Sequence, residues 1–274
     1  MDAGSNTGLV TPSSSVSATG INPRTLERFE AEPPRTMPRV QHRIAVRNHS
    51  GSPCAYHLLA DALDVTGCPG SSESDSLNMQ NWRLVYQSSL VIPHPHGSAH
   101  FSVMDTTLAI CGSGKTTCAP GLVLYSSDWQ EAAPATGDAH GSHLVMTMPE
   151  GHDASFDIKR SSHDAFDVKG AFGITVNTSF RYPHPKFPFV GLGAPDPYNV
   201  NNVIPIAIFE AQPGCTYSIR PNSRYLIAAG TADPGQIVAI DPSTKLYILD
   251  FSDPSVLSAE VIHNENGTFS IDYI

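Results

Sequence analysis

The sequence has no run of lysine or arginine, and it is poor in charge of either sign. Its 274 residues hold 16 Lys+Arg against 26 Asp+Glu, so only 15% are charged and the formal net charge is −10. Nucleic acid and anionic membrane surfaces both need a basic face, so neither is an expected partner. No apolar stretch approaches the ~20 residues of a bilayer span, so no membrane segment is expected. The N-terminal stretch MDAGSNTGLVTPSSSVSATG lacks both the basic start and the apolar core of a secretory signal. The chain is therefore expected in the cytoplasm, with a secreted or vesicular protein as the alternative if a leader was removed. No strong amphipathic helix can be read anywhere. There is no G-x-S-x-G, and the Ser, His and Asp residues have no spacing that assigns hydrolase roles.

What the chain has in quantity is turn formers. It contains 21 Gly and 23 Pro beside 40% hydrophobic residues, which suits many short strands joined by tight loops. Residues 1–39, rich in Ser, Thr, Gly and Pro, read as a flexible arm, with at most a short helical turn at Thr25–Glu30. A homodimer is kept open, since such an arm can pack as an edge strand or across a dimer. From Val40 the pattern changes to short alternating runs such as VQHRIAVRN, AHFSVM, SHLVMTM and SAEVIHN, split by Gly/Pro/Ser clusters. Alternation leaves each sheet one apolar face, and two such faces must pack together. The predicted architecture is all-β, a two-sheet antiparallel β-sandwich over residues 40–274. Two smaller β domains meeting near residue 195 are the alternative.

There are five cysteines and three N-x-[ST] sequons, at Asn48, Asn177 and Asn266. Sequons arise often by chance, so the missing signal carries more weight. The segment Cys111-Gly-Ser-Gly-Lys-Thr-Thr-Cys118 imitates a phosphate loop. The motif needs a glycine where Ala109 stands and a helix where APGLVLYSS reads as strand. A hairpin turn that sets Cys111 opposite Cys118 is expected instead. These two could form a disulfide, as could Cys54 with Cys68, which leaves Cys215 alone and packed.

His94, His96 and His100 are candidate metal ligands, but proline splits the first pair and no carboxylate follows at a suitable distance. No metal and no cofactor is expected. The alternatives for this segment are solvated imidazoles in a loop, or a polar rim over an apolar pocket with His96 as proton donor or acceptor. The stretch FGITVNTSFRYPHPKFPFVGLG, residues 172–193, reads as strand, polar break, strand. Its break carries Arg181, Tyr182, His184 and Lys186 between prolines that stiffen it, the composition of a ligand-facing loop. Trp82 and Trp129, with Tyr56, Tyr86, Tyr182 and Tyr198, could line a pocket for a flat apolar ligand. For any single one of them, a core aromatic is the favoured reading.

The runs RIAVRNHSGSPCAYHLLADAL, AHFSV, LAICG, HLVMTMPEG, FVGLG, VIPIAIFEAQPGCTYSIRP, LDFS and VIHNENGTFSI, taken in order over residues 42–274, resemble a group of fungal β-sandwich proteins. Some of these are similar to the hetero-Diels–Alderases of tropolonic sesquiterpenoid biosynthesis. The resemblance implies a cofactor-free enzyme of secondary metabolism with tropolone and terpene substrates. It would dehydrate a hydroxymethyl tropolone to an o-quinone methide and direct its [4+2] addition to a humulene-type alkene. Such chemistry needs orientation of two reactants, an acid for the departing hydroxyl and a cation for the tropolone oxygen. On local chemistry, Arg181, Tyr182, His184, Lys186 and His96 are the candidate catalytic residues, and Trp82, Tyr86, Tyr56 and Tyr198 the candidate substrate-binding ones. The competing expectations are a non-enzymatic module that binds a sugar or an apolar small molecule, and a structural β-sandwich.

Overall fold

Strands account for all the regular structure in a computed structural model of the chain, which describes residues 40–67, 81–104, 106–115, 117–239 and 247–274. The expected N-terminal arm and its helical turn lie outside the described residues. Residues Pro38–Ile274 form one compact unit.

In chain order the strands are β1 (Val40–Asn48), β2 (Tyr56–Ala60), β3 (Asp64–Thr66), β4 (Trp82–Arg83), β5 (Val85–Ser88), β6 (Ser98–Met104) and β7 (Leu108–Gly114). They continue with β8 (Asp128–Glu131), β9 (Gly141–Thr147), β10 (Ser155–Phe156), β11 (Ser162–Phe166), β12 (Phe172–Val176) and β13 (Phe187–Asp196). The last are β14 (Asn199–Glu210), β15 (Thr216–Arg220), β16 (Arg224–Ala229), β17 (Tyr247–Asp250), β18 (Ser258–His263) and β19 (Phe269–Tyr273).

The class is all-β and sandwich-like, built from open sheets rather than a closed barrel. Among the described residues the hydrogen-bonded ladders number four: β19-β18-β1-β6; β10-β9-β12-β15-β3 with β11 also on β9; β4-β14-β13-β7-β8; and β17-β16-β2-β5. Pairing is antiparallel except for β1 with β18 and β12 with β9, which run parallel. Pro195 sits inside β13, paired with Val203, so no boundary falls at that position.

The first ladder shows the alternation that the sequence carries. Along β1, His42, Ile44, Val46 and Asn48 are buried while Gln41, Arg43 and Arg47 face water. The third ladder behaves differently. Ala109, Cys111, Val190, Leu192, Ile204 and Phe209 enter the main apolar cluster, which draws on all four ladders. Leu108, Ile110, Phe189, Val203 and Ile208 point the other way, into a second cluster under Leu124 and Ile237. A strand buried on both faces reads as a continuous apolar run, as FPFVGLGAP and VIPIAIF do. In the fourth ladder a third cluster of Leu59, Val85, Leu226 and Ala228 is covered by Ala232 and Val238.

That second face corrects the reading of residues 111–127. β7 runs through Cys111 to Gly114, and its partner β8 returns only at Asp128, which is in register with Cys111. Between them, APGLVLYSS is a loop with one bridge, Val123 to Gln236. Leu122 and Leu124 in this loop cover the apolar face of Leu108, Ile110 and Phe189, and burial there outweighs the strand propensity of the segment. Cys118 packs into that second cluster and Cys111 into the main one, so they do not oppose each other across a hairpin. Cys54, Cys111 and Cys118 are free thiols, so neither of the two pairings that the sequence left open forms. Cys215 is disulfide-bonded rather than solitary.

Candidate functional site

The polar break between β12 and β13 passes from one ladder to another. β12 lies between β9 and β15, whereas β13 lies between β14 and β7. The loop leaves β12 with Asn177 N–H donating to Met146 O at 2.9 Å. Ser179 N–H donates to Asn177 Oδ1 at 3.0 Å, and Ser179 Oγ accepts from Met148 N–H at 2.8 Å. Phe180 is buried beyond these anchors. A peg of this kind lets the following residues project without being packed.

Arg181, Tyr182 and Lys186 are exposed and His184 is half-buried. Tyr182 O–H donates to Glu210 Oε2 at 3.3 Å. Glu210 ends β14 opposite Phe189, so a carboxylate stands where an apolar strand reaches the surface. The charge of Glu210 is the main reason the Tyr182 phenol is pushed above its ordinary range, with burial and the hydrogen bond adding to it. The His184 ring lies edge-on to Phe180, with centroids 5.7 Å apart. Its Nδ1 lies 3.1 Å from Lys186 backbone N and 3.3 Å from Lys186 O, which holds the ring against its own loop. Lys186 Nζ pairs with Asp153 Oδ1 at 3.3 Å, and Ser113 Oγ reaches the same oxygen at 3.5 Å. Arg181 has no hydrogen bond or ion pair among the described residues.

Four chain segments thus meet in one open patch: the loop of residues 177–186, the end of β14, the end of β7 and the loop of residues 148–154. Asp153 reads in the sequence as one member of a solvated acidic cluster, and Glu210 and Ser113 carry no motif at all. Only strand register brings them beside Tyr182 and Lys186.

The remaining candidates are placed elsewhere. His96 is exposed in the turn between β5 and β6, and His94 Nδ1 there accepts from Gly51 N–H at 3.1 Å. Trp82 pairs with Ile208 and packs, with Trp129, on the second cluster. Tyr56 and Tyr86 are core residues rather than pocket lining. Tyr56 OH meets His263 Nδ1 at 2.9 Å, and Tyr86 OH donates to Pro195 O at 2.9 Å. Burial raises both phenols above their ordinary range. Tyr198 is 84% exposed, at the tip of the β13–β14 hairpin. His96 and the four aromatics therefore do not join Arg181, Tyr182, His184 and Lys186. A buried aromatic and a solvent-facing one leave the same trace in sequence, which is why spacing did not separate them. Among the described residues, no group of three or more His, Cys, Asp or Glu is arranged to hold a metal ion.

Compared with protein-family models, curated proteins and solved structures, the chain matches none.

Proposed function

We propose that this protein is a non-enzymatic binding module that takes a neutral sugar on the patch of Tyr182, Glu210, His184, Lys186 and Asp153. The observation that carries this reading is the exposed Tyr182 ring, half-open to solvent and tied through its hydroxyl to Glu210. A tyrosine ring offers apolar area to the C–H face of a sugar at little entropic cost, and carboxylates accept from adjacent sugar hydroxyls. Lys186 already neutralises Asp153, and the chain is acidic overall, so an anionic sugar is disfavoured. Anchoring by Phe180 and by the Ser179 hydrogen bonds means that little loop ordering is needed on binding.

The test is calorimetric titration with a panel of neutral mono- and oligosaccharides. Binding should weaken at least ~10-fold in Tyr182→Ala and in Glu210→Gln, each loss being about 1.4 kcal/mol or more. Tyr198→Ala should bind as wild type does. Absence of binding to every sugar in the panel overturns the reading.

The hetero-Diels–Alderase reading stands second, and one observation favours it: Tyr182, His184 and Lys186 lie on one loop, an acid beside a cation. Against it, a quinone methide needs protection from water, while Arg181, Tyr182 and Lys186 are all exposed. The raised pKa of Tyr182 also makes it a poorer proton donor. Incubation with a hydroxymethyl tropolone and a humulene-type alkene decides the matter, since an enzyme must accelerate cyclised product over buffer and lose that acceleration in His184→Ala.

A further inference from the structure

The three sequons are equivalent in sequence and sharply different in structure. Asn48 is fully buried, and both ends of its amide are engaged. Its Nδ2 donates to Ser52 O at 2.8 Å and to Ile92 O at 3.1 Å, and its Oδ1 accepts from Ser50 N–H at 3.1 Å and Ser50 Oγ at 2.7 Å. A glycan there would replace one of those N–H donors and demand space inside the core. Asn177 is half-buried, and the hydroxyl of its partner Ser179 accepts from Met148 N–H. Asn266 is exposed at the tip of the β18–β19 hairpin. Its turn closes through Asn264 N–H to Thr268 O at 2.8 Å, and a Cβ placed on the neighbouring Gly267 would meet nothing within 4 Å. Thr268 Oγ1 lies 2.6 Å from Asn266 Oδ1, so the hydroxyl that a sequon requires is already beside the amide.

The cysteines give an independent observation. Cys215 is disulfide-bonded, and structural disulfides persist in oxidising compartments. Of the three free thiols, Cys111 and Cys118 are buried and Cys54 is half-buried, and burial pushes Cys118 up to about 12. Oxidative folding and N-glycosylation occur in the same compartment of a eukaryotic cell, so the two features point the same way.

We infer that Asn266 is the single N-glycan acceptor of this chain, and that the chain folds in the secretory pathway rather than the cytoplasm. In the modification, Asn266 Nδ2 attacks the anomeric carbon of a lipid-linked oligosaccharide diphosphate. The N–C1 bond forms, the C1–O bond to the diphosphate breaks, the lipid diphosphate departs with the electron pair, and one amide proton leaves to a base of the transferase. The Asn266 glycan projects from the hairpin tip, where it displaces no core contact.

The test is expression of the full chain behind a secretory leader in yeast, followed by endoglycosidase treatment and peptide mass mapping. The expected result is one glycan, on Asn266, lost in Asn266→Gln and in Thr268→Ala and retained in Thr268→Ser. Secreted protein with Asn266 unmodified overturns the inference. So does a glycan on Asn48 or Asn177, or folded protein in which Cys215 carries a free thiol.

Discussion

The ring of Phe189 lies directly on Gly112, its register partner across β7 and β13, where an added Cβ would come within 2.4 Å of Phe189 Cζ. Both residues are buried, so the ring has nowhere to move. The missing side chain at position 112 is what lets the aromatic ring cover the strand. The glycine is therefore a packing requirement rather than a turn.

Gly112→Ala should destabilise the fold by about 1–3 kcal/mol, the usual cost of forcing one methyl into a filled core. The melting temperature should fall by roughly 3–10 °C, and Phe189→Leu in the same chain should recover part of the loss. Unchanged melting of the single variant would show that the ring yields.

Asn48 fixes the turn after β1 to the strand segment at Ile92 through two donated and two accepted hydrogen bonds. Asn48→Asp keeps the shape but sets a carboxylate oxygen against the carbonyls of Ser52 and Ile92. Urea denaturation should show a loss of about 3 kcal/mol or more, larger than for Asn48→Ala, because a buried charge is left facing acceptors.

Four histidines, His42, His57, His143 and His263, are held below the ordinary value of 6.5, burial being the first cause in each. Their folded-state values lie below the unfolded one, so the unfolded chain binds protons first as pH falls. Stability is complete above 6.5 and is lost as pH falls through 6.5 toward the folded-state values. His42 stacks on Phe251 at 4.3 Å, and its Nε2 is buried without a partner, so protonation there is especially costly. Melting curves between about pH 7 and pH 5 should show stability falling with acid. His42→Leu should flatten that slope, and a slope unaltered by the substitution would show that His42 does not contribute.

Glu210 raises the Tyr182 phenol mainly through its charge, so removing the charge must lower the pKa. In Glu210→Gln, the ring signal of Tyr182, assigned by comparison with Tyr182→Phe in tyrosine-labelled NMR, should titrate closer to the ordinary 10.0. A titration unmoved by the substitution would separate Tyr182 from Glu210 in solution and remove half of the proposed sugar site.

The sequence by itself determined the class of the fold, and it located the loop on which the candidate site is built. Alternation along VQHRIAVRN and SAEVIHN allows only half-buried strands, because a period of two places every second side chain on one face. The polar, proline-stiffened break at residues 181–186 likewise has no way to pair as a central strand. Tertiary structure decided the rest. Whether Tyr56 and Tyr182 are core or surface depends on what packs against them, and an aromatic residue reads the same in either place. Strand register across β7, β13 and β14 brought Ser113 and Glu210 to the loop, and long-range register is a property of pairs rather than of any local run. The cysteines were settled in the same way. Cys111 and Cys118 look like hairpin partners at their spacing, but the apolar outer face of β7, β13 and β14 had to be covered, and Cys118 with the Leu122 and Leu124 that follow it went to that burial.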